Sequence, residues 1–249
     1  MTKHIKKLLF FFIFLMCFSC AKDSDVFEPR TLADFISINS HQPENEVIAC
    51  AASKSGNNNT SYIFYYPIPK SSEIRYFETS SIDDDKNDFS LYKEKKLTNE
   101  GVFNSYLGRF IRTSSTEAWC IVTYIYDGKL YKSNPIKLKN QTKPTEWTNL
   151  VSIDISSSLE PKFTWVDGSV KENEIYFQVI TDSENNLLSG TYTYDKWFQY
   201  YKTSNVVLNV TRETPPPVLI VDNEYNFTMM GVSKDNWVNL VIQKPFTAK

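Results

Sequence analysis

Histidine is almost missing from this chain. Only His4 and His41 occur in 249 residues. Hydrolase sites that rely on a nucleophile, a base and a group orienting that base therefore have almost nothing to draw on. Beyond residue 20 there is no Gly-x-Ser-x-Gly, no His-Glu-x-x-His and no Cys-x-x-Cys. A glycosidase needs only two carboxylates, but the acids of this chain fall mostly in turn-like stretches, so an enzyme of that type ranks as a distant third reading. No catalytic, cofactor-binding or metal-binding set is assigned, and the chain reads as a non-enzyme. Basic runs are also missing from the body of the chain, which argues against a nucleic-acid partner. Glycine is scarce, at seven residues. No segment reaches the ~20 apolar residues of a membrane-spanning helix.

Aromatics are plentiful, with 17 Phe, 15 Tyr and 5 Trp. Together with Val, Ile and Thr they fill the apolar stretches, a composition that favours strands. The fold class expected is all-β.

The first nineteen residues stand apart. Lys3, Lys6 and Lys7 precede an unbroken apolar run, Leu8–Met16. The run is too short to span a bilayer and suits the apolar region of a secretory signal. Ser19 places a small side chain just before Cys20. Met1–Cys20 resembles a bacterial lipoprotein signal with a relaxed lipobox, Cys-Phe-Ser-Cys. The resemblance implies cleavage before Cys20 and acylation of its thiol and freed amine. Cys17 is the rival anchor, disfavoured by the large Met16 before it. Several acyl chains would hold the protein to a membrane without spanning it, at about 0.8 kcal/mol per buried methylene. Ala21–Asp25 is short and acidic, similar to the tract that routes lipoproteins to the outer face of the outer membrane in Bacteroidetes. The location this implies is the bacterial outer membrane, surface-exposed, with a periplasm-facing orientation as the alternative. Removing Met1–Ser19 takes three lysines and no acid, leaving 230 residues with a net charge of −5. That length suits one large or two ordinary domains.

Residues 20–43 read as a lipidated tether, in which Thr31 would cap a helical turn over 31–36. Strand-like stretches begin at Glu46 and include Phe89–Leu97 and Phe103–Arg112, where Phe103, Leu107 and Phe110 would also suit a helix face. The clearest hairpin is Glu117–Leu138, turning at Asp127-Gly128. Residues 141–149 read as a linker, after which the pattern restarts. Glu73–Phe77 is echoed by Glu174–Phe177, Phe64–Tyr66 by Phe163–Trp165, and each half ends in a long hairpin, Trp119–Leu138 and Tyr225–Lys244. This spacing is that of tandem immunoglobulin-like sandwiches. Both halves resemble fibronectin type III modules, with Trp165 as the core tryptophan of the second strand. The domains expected are 44–140 and 150–249. The whole chain resembles lipoproteins of flavobacteria and other Bacteroidetes, a family with no assigned activity to carry over.

The remaining candidates are few. Asp83, Asp85, Asn87 and Glu94 match positions one, three, five and twelve of a calcium loop, but Asp88 stands where the sharp turn needs glycine. Cys50 and Cys120 lie 70 residues apart. The immunoglobulin-like resemblance suggests a disulfide between them, with two buried free thiols as the alternative. Tyr192, Tyr194, Trp197, Tyr200 and Trp237 are candidate binding aromatics, suited to sugar stacking or a protein contact. Strict alternation in the last strand puts Val238, Leu240 and Ile242 on the core face, and Trp237, Asn239 and Val241 on the outward one. The function expected is binding or adhesion to a protein or glycan partner. A structural subunit of a larger envelope complex is the alternative.

Overall fold

The computed structural model describes residues 30–39 and 45–249. The leader, Cys20 and His41 lie outside them. The first described element is helix α1, Leu32–Ile38. Thr31 and Asp34 form a reciprocal capping box, each side chain accepting from the other's backbone N–H at 3.0–3.1 Å. Part of the expected tether is thus a docked element. Leu32 and Phe35 pack with Phe77, Tyr92, Ile121 and Leu130.

The first unit is a two-sheet sandwich. One sheet runs β1 (Asn45–Val47), β9 (Lys129–Ser133), β8 (Trp119–Tyr126), β4 (Ser72–Glu78), β5 (Lys93–Glu94), with β10 (Ile136–Lys137) also on β8. The other runs β2 (Ala49–Lys54), β3 (Asn57–Tyr65), β7 (Leu107–Thr113), β6 (Thr98–Val102). In immunoglobulin lettering these are the G-F-C-C′ and A-B-E-D orders. The β8–β9 turn is the predicted one: Asp127 and Gly128 both have positive φ, at 51° and 68°, as a type I′ hairpin requires. Alternation on β8 sends Cys120, Val122 and Tyr124 into the sandwich core and Ile121 toward α1.

Sequence reading differs here in two places. A continuous strand over 89–97 is not formed; only Lys93–Glu94 pairs. The ambiguous stretch 103–112 is a turn followed by a strand. Phe103, Asn104 and Ser105 all have positive φ, at 52°, 49° and 64°, and they join β6 to β7. Gly108 is needed because a Cβ there would lie 2.0 Å from the Tyr65 ring.

The second unit repeats the plan. Its smaller sheet runs β12 (Ser152–Asp154), β13 (Lys162–Thr164), β16 (Trp197–Gln199). Its larger sheet runs β11 (Glu146–Thr148), β19 (Val238–Thr247), β18 (Glu224–Val232), β14 (Ile175–Asp182), β15 (Leu187–Thr193), β17 (Val206–Asn209). These are A-B-E and G-F-C-C′ orders with β17 added at the edge. The chain is therefore all-β, two tandem immunoglobulin-like, fibronectin type III-like sandwiches. Both units open with a short strand parallel to their own last strand, β1 on β9 and β11 on β19. Glu146–Thr148, inside the expected linker, is thus already part of the second sheet.

Phe163 and Phe227 stack at 4.2 Å in the second core. The opposite face of the larger sheet is not solvent-facing. Phe177, Val179, Met230, Val238 and Val241 pack against Ala52, Phe64, Tyr106 and Leu107 of the first unit. The A-B-E-D sheet of the first sandwich faces the G-F-C-C′ sheet of the second, and their central strands are covered on both sides. This explains the unbroken burial over 176–181 of β14, 227–232 of β18 and the start of β19.

It also overturns the outward face expected for the last strand. Trp237, Asn239 and Val241 are all buried. Gly231 pairs with Leu240 and Val232 with Val238, so Asn239 is an extra residue in the ladder. That bulge moves Val238 off the face of Leu240 and Ile242 and into the cluster between the units. Asn239 is held there by its Nδ2, which donates to Asn173 Oδ1 at 3.1 Å.

Candidate functional site

The junction of the two sandwiches is built from the turn between β18 and β19. Trp237 enters the core of the first unit, beside Ala51, Ile63, Phe110 and Leu138. Its indole Nε1 donates to the Lys143 carbonyl at 2.8 Å. Around it the backbone is shared. Ala51 N–H donates to Asn236 O at 3.0 Å, and Lys137 N–H to Asp235 O at 2.9 Å. Thr145 Oγ1 accepts from Ser53 N–H and donates to Val238 O, both at 2.8 Å. Across the interface, the Tyr106 hydroxyl donates to the Val210 carbonyl, and the Arg212 guanidinium lies 4.4 Å over the Tyr106 ring.

One ion pair in this junction responds to acid. Lys139 Nζ sits 3.0 Å from Asp235 Oδ2. Burial alone would raise the Asp235 carboxyl. Hydrogen bonds from Ser233 and Lys139, with the Lys139 charge, outweigh it and leave the group below its usual 3.8. A carboxyl lowered on folding stabilises the fold above its unfolded value and stops doing so as pH falls through its folded value. The Asp235 contribution should therefore be complete above the unfolded value of about 4 and fade as pH falls through the lowered folded one. Asp235→Asn should lose stability at neutral pH and show a shallower acid decline than the parent in pH-stepped urea unfolding. Parallel acid slopes would remove Asp235 from this role.

The sequence candidates scatter. Tyr192 is half-buried and stacks on Phe177 at 4.4 Å. Tyr200 is buried, its hydroxyl donating to Pro217 O at 2.6 Å. Trp237 is the junction plug and cannot touch an outside partner. Trp197 is half-buried under Lys162, whose Nζ lies 4.6 Å from the ring centroid. Tyr194 is 67% exposed. The expected five-residue binding surface is thus reduced to Tyr194 and part of Trp197.

Cys50 and Cys120 are free thiols. They sit on opposite sides of one sheet: Cys120 in the first core, Cys50 toward the second unit. A disulfide between them is excluded by that sheet. Burial pushes the Cys50 thiol up to about 12. In the acidic loop the carboxylates serve the backbone. Asp84 Oδ2 accepts from Ser80 and Ser81 N–H, and Asp85 Oδ1 from Asn87 N–H. Glu94 pairs with Arg75 at 3.0 Å. Among the described residues no group of three or more His, Cys, Asp or Glu could hold a metal ion, and none is histidine.

Two features remain open to a ligand or partner. The first is exposed apolar surface on the second unit. Of the large hydrophobics exposed among the described residues, only Ile38 and Leu91 precede residue 150. After Pro215–Pro217 come Val218, Ile220 and Val221, each more than half exposed, with Leu219 turned inward. The second feature is a 240 Å³ cleft between the sandwiches. Sequence reasoning missed both, and the cleft exists only because the two units pack together.

No family model and no curated protein matches the chain. Among solved structures it is similar to the FN1–FN3 domains of chicken CNTN1, at 14% identity and TM-score 0.29, covering 84% of this chain and 68% of that one. A two-domain fibronectin type III segment of chicken tenascin matches at 12% identity and TM-score 0.26, covering 82% and 98%. The Endo-D glycoside hydrolase domain from Streptococcus pneumoniae R6 matches at 12% and 0.29, covering 81% and 33%. At such scores these likenesses carry no argument about fold or activity; the architecture rests on the strand orders above.

Proposed function

We propose that this chain is a non-enzymatic binding lipoprotein of the bacterial outer envelope. Cys20 holds it to the membrane, and the second sandwich meets a protein or glycan partner. The observation that carries the reading is the one-sided distribution of exposed apolar side chains. Exposed apolar surface on a water-exposed domain favours association, and here the Val218–Val221 run supplies it, bordered by the exposed Asp222 and Glu224. Tyr194 adds an exposed ring suited to a sugar face or a protein contact. The rigid junction suits a module that presents one face in fixed orientation.

The test is in cells. Cys20→Ala should abolish fatty-acid labelling and membrane pelleting. Cross-linking from intact cells should capture a partner with the parent protein. A Val218→Ser, Ile220→Ser, Val221→Ser variant should lose that capture while keeping its melting behaviour. Labelling of the Cys20→Ala protein, or unchanged capture by the triple variant, would contradict the proposal.

A further inference from the structure

We infer that the cleft between the two sandwiches is a binding site for a compact, uncharged, apolar small molecule, distinct from the outward face of the second unit. Its walls come from both units. The first gives Ile48, Cys50, Phe64 and Tyr66, and the second gives Phe177 and Tyr192. Apolar clefts at domain interfaces are a preferred place for small-molecule sites. Size fits as well. A cavity of about 150 Å³ lined by aliphatic and aromatic groups takes up benzene, and this one measures 240 Å³.

The polar groups define the class of ligand. Glu46, Asn134 and Asn236 stand among the lining residues, and Glu46 is the one with a charge. Asn134 Nδ2 already donates to Glu46 Oε1 at 2.6 Å. Asn236 Nδ2 donates to Pro135 O at 3.2 Å. Each amide thus gives one of its two N–H groups to the protein itself. A strongly polar ligand would lose its water for few partners in this mostly aliphatic and aromatic lining, and an anion would also meet the Glu46 carboxylate. An uncharged ring system meets neither cost, and the stacked Phe177 and Tyr192 rings offer it an aromatic wall.

Cys50 supplies a reporter inside the cleft. In the chain from Ala21 on, which carries every described element, the two cysteines are Cys50 and Cys120, and Cys120 is buried in the first core. The probe is 1-aminonaphthalene, uncharged at neutral pH, with 1-naphthoate as its anionic counterpart. The aminonaphthalene should bind saturably at one site by fluorescence. It should slow alkylation of Cys50 by excess iodoacetamide at pH 9.5, where enough of the raised thiol ionises to react, located by peptide mass, about fivefold or more. The naphthoate should bind about tenfold more weakly, and Glu46→Gln should narrow that gap. Ile48→Trp, which enlarges a side chain in the wall of the cleft, should abolish binding; should that variant not fold, Cys50 protection in the parent still decides. Absence of saturable binding, binding that leaves Cys50 alkylation unchanged, or equal affinity for the naphthoate would each overturn the assignment.

Discussion

Trp237→Ala should cost about 3–5 kcal/mol, the range for removing a large aromatic from a packed core. The ring belongs by sequence to the last hairpin of the second sandwich, yet it is fully buried in the core of the first. Truncation leaves a cavity that neither sandwich can close alone, because the surrounding backbone is pinned from both sides. Ala51 N–H on Asn236 O and Lys137 N–H on Asp235 O hold the turn in place. It also leaves the Lys143 carbonyl without the indole donor. Trp237→Phe separates these effects, since it keeps most of the volume and loses only the hydrogen bond, worth about 1 kcal/mol. Urea unfolding of both variants measures the difference. A Trp237→Ala cost below about 1 kcal/mol would place the ring at a rim, contrary to its burial.

Glu78→Ala should be comparably damaging, at about 3–5 kcal/mol, because it strands a buried charge. Arg112 on β7 is almost wholly buried, and its Nε donates to Glu78 Oε2 of β4 at 2.6 Å. The same carboxylate oxygen accepts from the Tyr76 hydroxyl at 2.7 Å. The pair ties the two sheets of the first sandwich together, and Arg112 also donates to the Thr116 carbonyl at 2.9 Å. Without Glu78 the guanidinium has no anion within the core. Arg112→Met in the Glu78→Ala background should restore much of the loss, since an apolar side chain of similar reach needs no counter-charge. A double-mutant cycle reads this directly. Additive losses would show that the two side chains act independently.

Much of the first-level architecture was legible in the chain itself. Asp127-Gly128 marks its hairpin because both residues must take positive φ. The echoes between halves fall on equivalent strands. Phe64–Tyr66 and Phe163–Trp165 lie on or just beyond β3 and β13, while Glu73–Phe77 and Glu174–Phe177 fall on β4 and β14. Thr31 caps its helix through a local side-chain contact, which needs no knowledge of the rest of the fold. What was not legible is the packing of sandwich on sandwich. A strand covered on one face shows alternation, and a strand covered on both does not. Trp237, Asn239 and Val241 look like an outward face only if nothing lies beyond them. The Asn239 bulge is likewise invisible in sequence, since it is defined by its partners Gly231 and Val232. The same misreading made Trp237 look like a binding residue, whereas Tyr200 is buried in the second unit's own core and 146–148 joins that unit's own last strand. The cleft and its Cys50 wall arise only once the two units are stacked.

The organisation bears on how the proposed binding protein would work. Helix α1 closes one side of the first sandwich, and the second sandwich closes the other. An anchor at Cys20 would then present both units as a single body, with the Val218–Val221 run in fixed register to the inter-sandwich cleft.

Differential scanning calorimetry of the chain from Ala21 on tests that single body most directly. If the sandwiches share a core through Trp237 and the Phe177–Val241 face, they unfold together. The account predicts one transition, with calorimetric and van't Hoff enthalpies equal for the whole chain. Two resolved transitions, or a calorimetric enthalpy near twice the van't Hoff value, would show two independent domains and contradict it.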